Sequence, residues 1–127
     1  MTNWNKYGSP LEINTQQNIN SFMKFLESTD KEGEEPFWEI DEEGEIQPVS
    51  PSTERPKNYL EGYLNIVKWL KKRHRNCESG YAFTYQNEED PNDPNERSVG
   101  AMNSNDEGVT FVEIDGNGKV TQEFHKI

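Results

Sequence analysis

Apolar residues come in a few periodic clusters separated by long polar intervals, and each cluster has the spacing of one element. Leu11 and Ile13 alternate with polar residues, which permits a short strand, and Asn14 or Thr15 stands where a helix cap belongs. Ile19, Phe22, Met23 and Leu26 then recur at i, i+3, i+4 and i+7, one face of a helix over 15–29, with Phe25 off the stripe. Residues 37–40 and 45–49 are β-prone on either side of Asp41-Glu42-Glu43-Gly44, a hairpin that Pro48, Pro51 and Pro56 bring to an end. The clearest period is that of Leu60, Tyr63, Leu64, Val67 and Leu70, widened by Tyr59, Ile66 and Trp69, and it predicts a helix over 57–75. Pro56 suits its first turn, and Lys71, Lys72, Arg73, His74 and Arg75 offset the helix dipole at its end.

The second half reads as strands. Tyr81, Phe83 and Tyr85 alternate with Ala82 and Thr84, a half-buried strand, and a polar loop over 87–97 follows it. Residues 98–102 make a modest strand, and 109–114 and 119–124 flank Asp115-Gly116-Asn117-Gly118, a hairpin with strong turn chemistry. The expected architecture is α+β, a mostly antiparallel sheet of five to seven short strands with both helices, 15–29 and 57–75, packed on one face. Residues 1–127 make one acidic domain, with the first ten residues carrying no element and expected to be loosely ordered.

Composition changes the picture of the core. Only 30% of the chain is hydrophobic but 11% is aromatic, so a thin core built from rings is expected, with long loops carrying the charge. The net charge of −11 disfavours direct contact with nucleic acid or an anionic membrane surface and favours a basic protein partner, although acidity also serves solubility alone. Cys77 is the single cysteine, so no internal disulfide is implied. With no apolar run of signal or membrane-span length, the expected location is the cytoplasm.

Several constellations suggest chemistry. Glu113, Asp115, Asn117 and Glu123 resemble the oxygen ligands of an EF-hand calcium loop, with a glycine at the sharp turn. Glu113 stands where that loop has Asp, Phe124 occupies the position of its bidentate glutamate, and the flanks alternate as strands do, which favours a plain hairpin turn. Residues 30–45 carry nine carboxylates and one lysine, a run that can imitate the phosphate spacing of nucleic acid or dock on a basic protein surface. The loop with Glu88, Glu89, Asp90 and Asp93 is a second acidic surface. The cations over 68–75 are explained mainly by the helix dipole. Cys77, His74 and His125 are the only thiol and imidazoles, and neither a phosphate loop, a nucleophile elbow nor a Cys/His metal spacing is present. No cofactor and no enzymatic activity are expected.

The stretch Tyr59-Leu-Glu-Gly-Tyr-Leu-Asn-Ile-Val-Lys-Trp-Leu70, followed by Gly80-Tyr-Ala-Phe-Thr-Tyr-Gln-Asn-Glu-Glu-Asp90, resembles a group of small uncharacterised phage and bacterial proteins. In these a Tyr/Trp-rich amphipathic helix leads into a strand ending in a Glu-Asp pair. The resemblance covers about half the chain and implies an α+β fold and a mobile-element origin. It carries over no functional residue, and the Trp-Asp-Gly segment of that group is replaced here by residues 47–56.

Two expectations about function follow. One is a protein-binding inhibitor of the anti-defence, anti-CRISPR-like, DNA-mimic or immunity type, whose partner is a basic nucleic-acid enzyme or toxin. Its contact residues would be Glu34, Glu35, Asp41, Glu42, Glu43, Glu88, Glu89, Asp90 and Asp93, with Trp38 as an exposed anchor. The other is a small-ligand or calcium module, using the Asp115 loop or an apolar pocket between the sheet and the helix near Tyr63 and Tyr85.

Overall fold

A computed structural model describes residues 1–6, 11–13, 15–29 and 37–127. Its elements run β1 (Thr2–Lys6), β2 (Leu11–Glu12), α1 (Gln16–Thr29), β3 (Trp38–Ile40), β4 (Glu45–Pro48), α2 (Leu60–Lys72), β5 (Ser79–Gln86), β6 (Arg97–Ser104), β7 (Gly108–Asp115) and β8 (Val120–Lys126). The α+β class is as expected, and all strand pairs are antiparallel. The strands divide between two sheets, β1-β5-β6-β7-β8 and β2-β4-β3. Tyr81 joins them. Its hydroxyl donates to the Ile46 carbonyl at 2.5 Å and accepts from the Leu11 amide at 3.1 Å, so one phenol from the large sheet serves both β2 and β4 of the small one.

β1 corrects the expectation from sequence, which placed no element before Leu11. The reason is Trp4. It is 8% exposed, and its ring lies 5.1 Å from both Tyr59 and Phe83, while the backbone pairs with β5 from Thr2↔Tyr85 to Lys6↔Tyr81. That ring, together with the buried Thr2 and its bridge to Ser52, holds this polar segment as a strand.

α2 buries Leu60, Tyr63, Ile66, Val67, Trp69 and Leu70, with Tyr63 edge-on to Tyr81 of the large sheet and Trp69 turned to α1. Its first turn, Pro56–Tyr59, is 3-10, and the α-helix ends at Lys72, shorter than the expected 57–75. Thr15 caps α1, its Oγ1 accepting from the Asn18 amide at 3.3 Å. In α1, Ile19 and Phe22 are buried as expected, but Met23 is 45% exposed. Phe25 takes the inward place instead, stacked 5.8 Å from Trp69, because α1 packs on the aromatic end of α2. No helix among the described residues is long and apolar enough to cross a membrane.

Trp38 also departs from expectation. It is 4% exposed, stacked on Tyr63 at 5.2 Å, and its indole N–H donates to the Tyr59 carbonyl at 3.0 Å. Gly62 on α2 makes the approach possible, since a Cβ there would lie 2.8 Å from Trp38 Cδ1. Trp38 is therefore a core residue and not an exposed anchor.

Candidate functional site

Strand alternation sorts the large sheet into two faces. Trp4, Tyr81, Phe83, Met102, Val109 and Phe111 point inward and are buried. The opposite parity carries a second set of apolar residues. Val99 pairs with Ile114, and Ile114 with Val120, so the three form one row across β6, β7 and β8. Ala101 and Val112 form the adjoining row, and Phe124 on β8 lies beyond it. Val99 is 51% exposed, Val120 59% and Phe124 57%. The ring of Phe124 lies over Gly108, where a Cβ would meet it at 2.7 Å. Both helices and the small sheet pack into the buried cluster on the inner side, and among the described residues no layer covers the outer face.

One end of that outer face is concave. A groove of about 560 Å³ is lined there by Thr84, Val99 and Ile114 together with Arg97, Gln86 and Glu88. Beside it lies the β5–β6 connection, which is ordered by specific bonds. The Asn87 amide donates to the Glu96 carbonyl at 2.8 Å. Asn87 Nδ2 and Arg55 donate to the Glu96 carboxylate at 3.2 and 2.6 Å, and these two bonds hold its carboxyl below the ordinary range. Arg55 also lies over the Tyr85 ring at 5.2 Å. Asp93 accepts from the Asn95 amide at 2.9 Å, while Glu88, Glu89 and Asp90 stay exposed. At the opposite end of the sheet, Asp106 and Glu107 are exposed in the β6–β7 turn.

The other acidic residues are placed differently. Asp41 Oδ1 accepts from the Glu43 and Glu45 amides, both at 2.9 Å, so its charge is used to build the β3–β4 turn. Gly44, at φ +88°, completes that turn, and its carbonyl accepts from the Ile13 amide at 2.8 Å. Glu42 and Glu43 are exposed there, but on the small sheet, whereas Glu88–Asp93 hang from the large one. Glu34 and Glu35 lie outside the described residues.

Asp115 repeats the Asp41 pattern, with Oδ1 accepting from the Asn117 and Lys119 amides at 2.9 Å. Asn117 donates to Asn95 at 2.7 Å, and Glu113 accepts from Ser98 at 2.8 Å. Glu123 pairs with Phe111, four residues along β7 from Asp115 and so roughly 13 Å away. The strand register thus spreads the four calcium candidates instead of gathering them. Glu123 instead meets Lys57 at 3.2 Å and His125 at 3.5 Å. Cys77 is buried, and burial pushes its thiol up from the ordinary range. Beneath α2, Tyr63 is packed among core side chains and not against an open chamber. Its hydroxyl sits 2.5 Å from that of Ser79 and donates to Ser104 at 2.9 Å.

The outer-face residues Val99, Ile114, Val120 and Phe124 were not among the candidates drawn from sequence. A signal was present. In Val109-Thr-Phe-Val-Glu-Ile114 apolar residues occupy both parities, the pattern of a strand with two apolar faces.

Among the described residues, fold and site together define an acidic two-sheet α+β structure with one uncovered apolar sheet face. No family model matches the chain, and neither the curated proteins nor the solved structures contain a significant match to it.

Proposed function

We propose that this is a non-catalytic protein-binding inhibitor that occludes a basic surface of a target protein, a nucleic-acid enzyme or a toxin. The observation that supports the reading best is the outer face of the large sheet. Its apolar surface runs from Val99, Ile114 and Val120 at one end through Ala101 and Val112 to Phe124, and beyond its two ends stand exposed carboxylates, Glu88, Glu89 and Asp90 at one and Asp106 and Glu107 at the other. An apolar centre with a charged rim is the layout of a protein contact, where the centre supplies affinity and the rim speeds and orients encounter. With a net charge of −11, the complementary surface is basic. Among the sequence-derived contacts, Glu88, Glu89 and Asp90 adjoin this face. Glu42 and Glu43 do not, and serve at most as a second, separate patch.

The test is capture from host lysate by tagged wild type, Val99→Asp and a Glu88→Lys/Glu89→Lys double variant, with folding checked by circular dichroism. One basic protein retained stoichiometrically at low salt, released as salt rises, and lost with either folded variant is the expected result. Equal capture by all three would overturn the outer face as the contact.

A further inference from the structure

The two edges of the large sheet are treated differently. The β1 edge is closed, because the Thr2 amide donates to the Ser52 carbonyl at 2.6 Å and the Trp4 amide donates to the Ser50 hydroxyl at 3.0 Å. The β8 edge is open. Among the described residues no strand pairs with its far side. Of the devices that blunt an edge it has charge, in Glu123 and Lys126, but not shortness, proline or a bulge. It is seven residues long, it contains no proline, and its register with β7 is constant from Gly108↔Lys126 to Ile114↔Val120, so no bulge interrupts it.

Antiparallel alternation fixes which groups are unused. The Asp115 amide donates to the Lys119 carbonyl, and the Ile127 amide to the Glu107 carbonyl, so the odd-numbered residues of β8 bond to β7. The N–H and C=O groups of Val120, Gln122, Phe124 and Lys126 therefore point to the open edge.

The geometry points to a second copy of this chain as the occupant of that edge, adding β8 antiparallel to β8 about a two-fold axis at Phe124. In this register Phe124 faces Phe124 of the second copy, on the outer face. Gln122 then faces the second copy's Lys126, and each of these pairs exchanges two backbone bonds. On the inner face the Glu123 carboxylate stands across from the imidazole of the second copy's His125, once on each side of the axis. Aromatic pairs and hydrogen-bonding polar pairs directly across an antiparallel ladder are stabilising, and like charges are not. Shifting the axis to Glu123 would set that carboxylate against its own copy. Charge does not oppose the pairing: Lys126 ends β8, Lys119 precedes it and Lys57 meets Glu123 at 3.2 Å, so cations stand beside the one carboxylate of β8. The result is one continuous ten-stranded sheet with both outer faces on the same side, an isologous contact.

Sedimentation of the isolated protein across a concentration series tests the pairing without any partner. The expected species has twice the 14.8 kDa chain mass. Gln122→Pro removes an outward N–H that the β7 ladder does not use, so it should give a folded monomer. Phe124→Cys supplies an independent reading. Residues opposed in a hydrogen-bonded pair lie about 5.5 Å apart at Cα, within disulfide reach, so mild oxidation should link the two copies. Gln122→Cys should not link, because the two copies of that residue are roughly 13 Å apart in this register. A monomer at every concentration overturns the proposal. So does a dimer that survives Gln122→Pro and is not trapped by Phe124→Cys. Either outcome leaves the capture experiment with Val99→Asp unaffected, since Val99 lies two strands from the edge.

Discussion

Tyr59, Tyr63 and Tyr81 bury their rings completely and spend their hydroxyls inside the fold, on Val49, on Ser104 and on Ile46. Burial raises the pKa of all three above the ordinary tyrosine value, most strongly for Tyr81. A raised folded pKa means that the associated stability is complete below the unfolded value of about 10 and declines as pH climbs toward the folded one, because only the unfolded chain releases the proton readily. Absorbance at 295 nm should therefore show these three tyrosines ionising together with loss of far-ultraviolet ellipticity, well above a pH of about 10. Early titration of all five tyrosines with the fold intact would contradict the packing described. Single residues were also where the sequence was least legible. Aromatic identity announced that Trp38 mattered but not which way it faced, since its burial depends on Gly62, far along the chain. Asp41 and Asp115 looked like free or metal-binding charge, yet each is committed to backbone amides within its own turn.

At the level of elements, Gly62 sits inside a helix, where glycine normally costs about 1 kcal/mol relative to alanine. Here the usual sign should reverse. A methyl at position 62 meets Trp38 Cδ1 at 2.8 Å, and that ring is held by its stacking on Tyr63 and its bond to Tyr59. Overpacking of that kind costs about 1–3 kcal/mol, so Gly62→Ala should lower stability by about 1 kcal/mol net in urea denaturation. A stabilised variant would show that the ring can move. The long elements were legible because their periodicity is local. α2 declares its stripe, and the Asp-Gly-Asn-Gly turn declares the last hairpin. β1 was not legible, since a strand with one apolar residue exists only through the neighbour it pairs with. The division into two sheets was hidden for the same reason. It follows from Leu11 finding Ile46 and from Tyr81 reaching across, contacts far apart in sequence.

Across the whole molecule, unbalanced charge matters most. Self-repulsion of a chain at −11 opposes compaction, and added salt weakens it as the screening length falls to about 8 Å at physiological ionic strength. The melting temperature should rise from very low salt to that point, followed by differential scanning fluorimetry with an external dye. A fall would mean that attractive pairs such as Arg55–Glu96 outweigh the repulsion. The candidate site was half legible at this scale. Composition pointed to a basic partner, but which carboxylates share a surface depends on which sheet each loop leaves. The distribution of rings has an optical consequence. Trp4, Trp38 and Trp69 are all at most 8% exposed and all lie on the covered side, and Cys77, the only thiol, is buried with them. Every indole fluorophore, and the one natural labelling handle, thus reports on folding, while the open sheet face is spectroscopically dark. A lone accessible cysteine introduced on that face would carry a dye that reads docking there, with no competing signal from the interior.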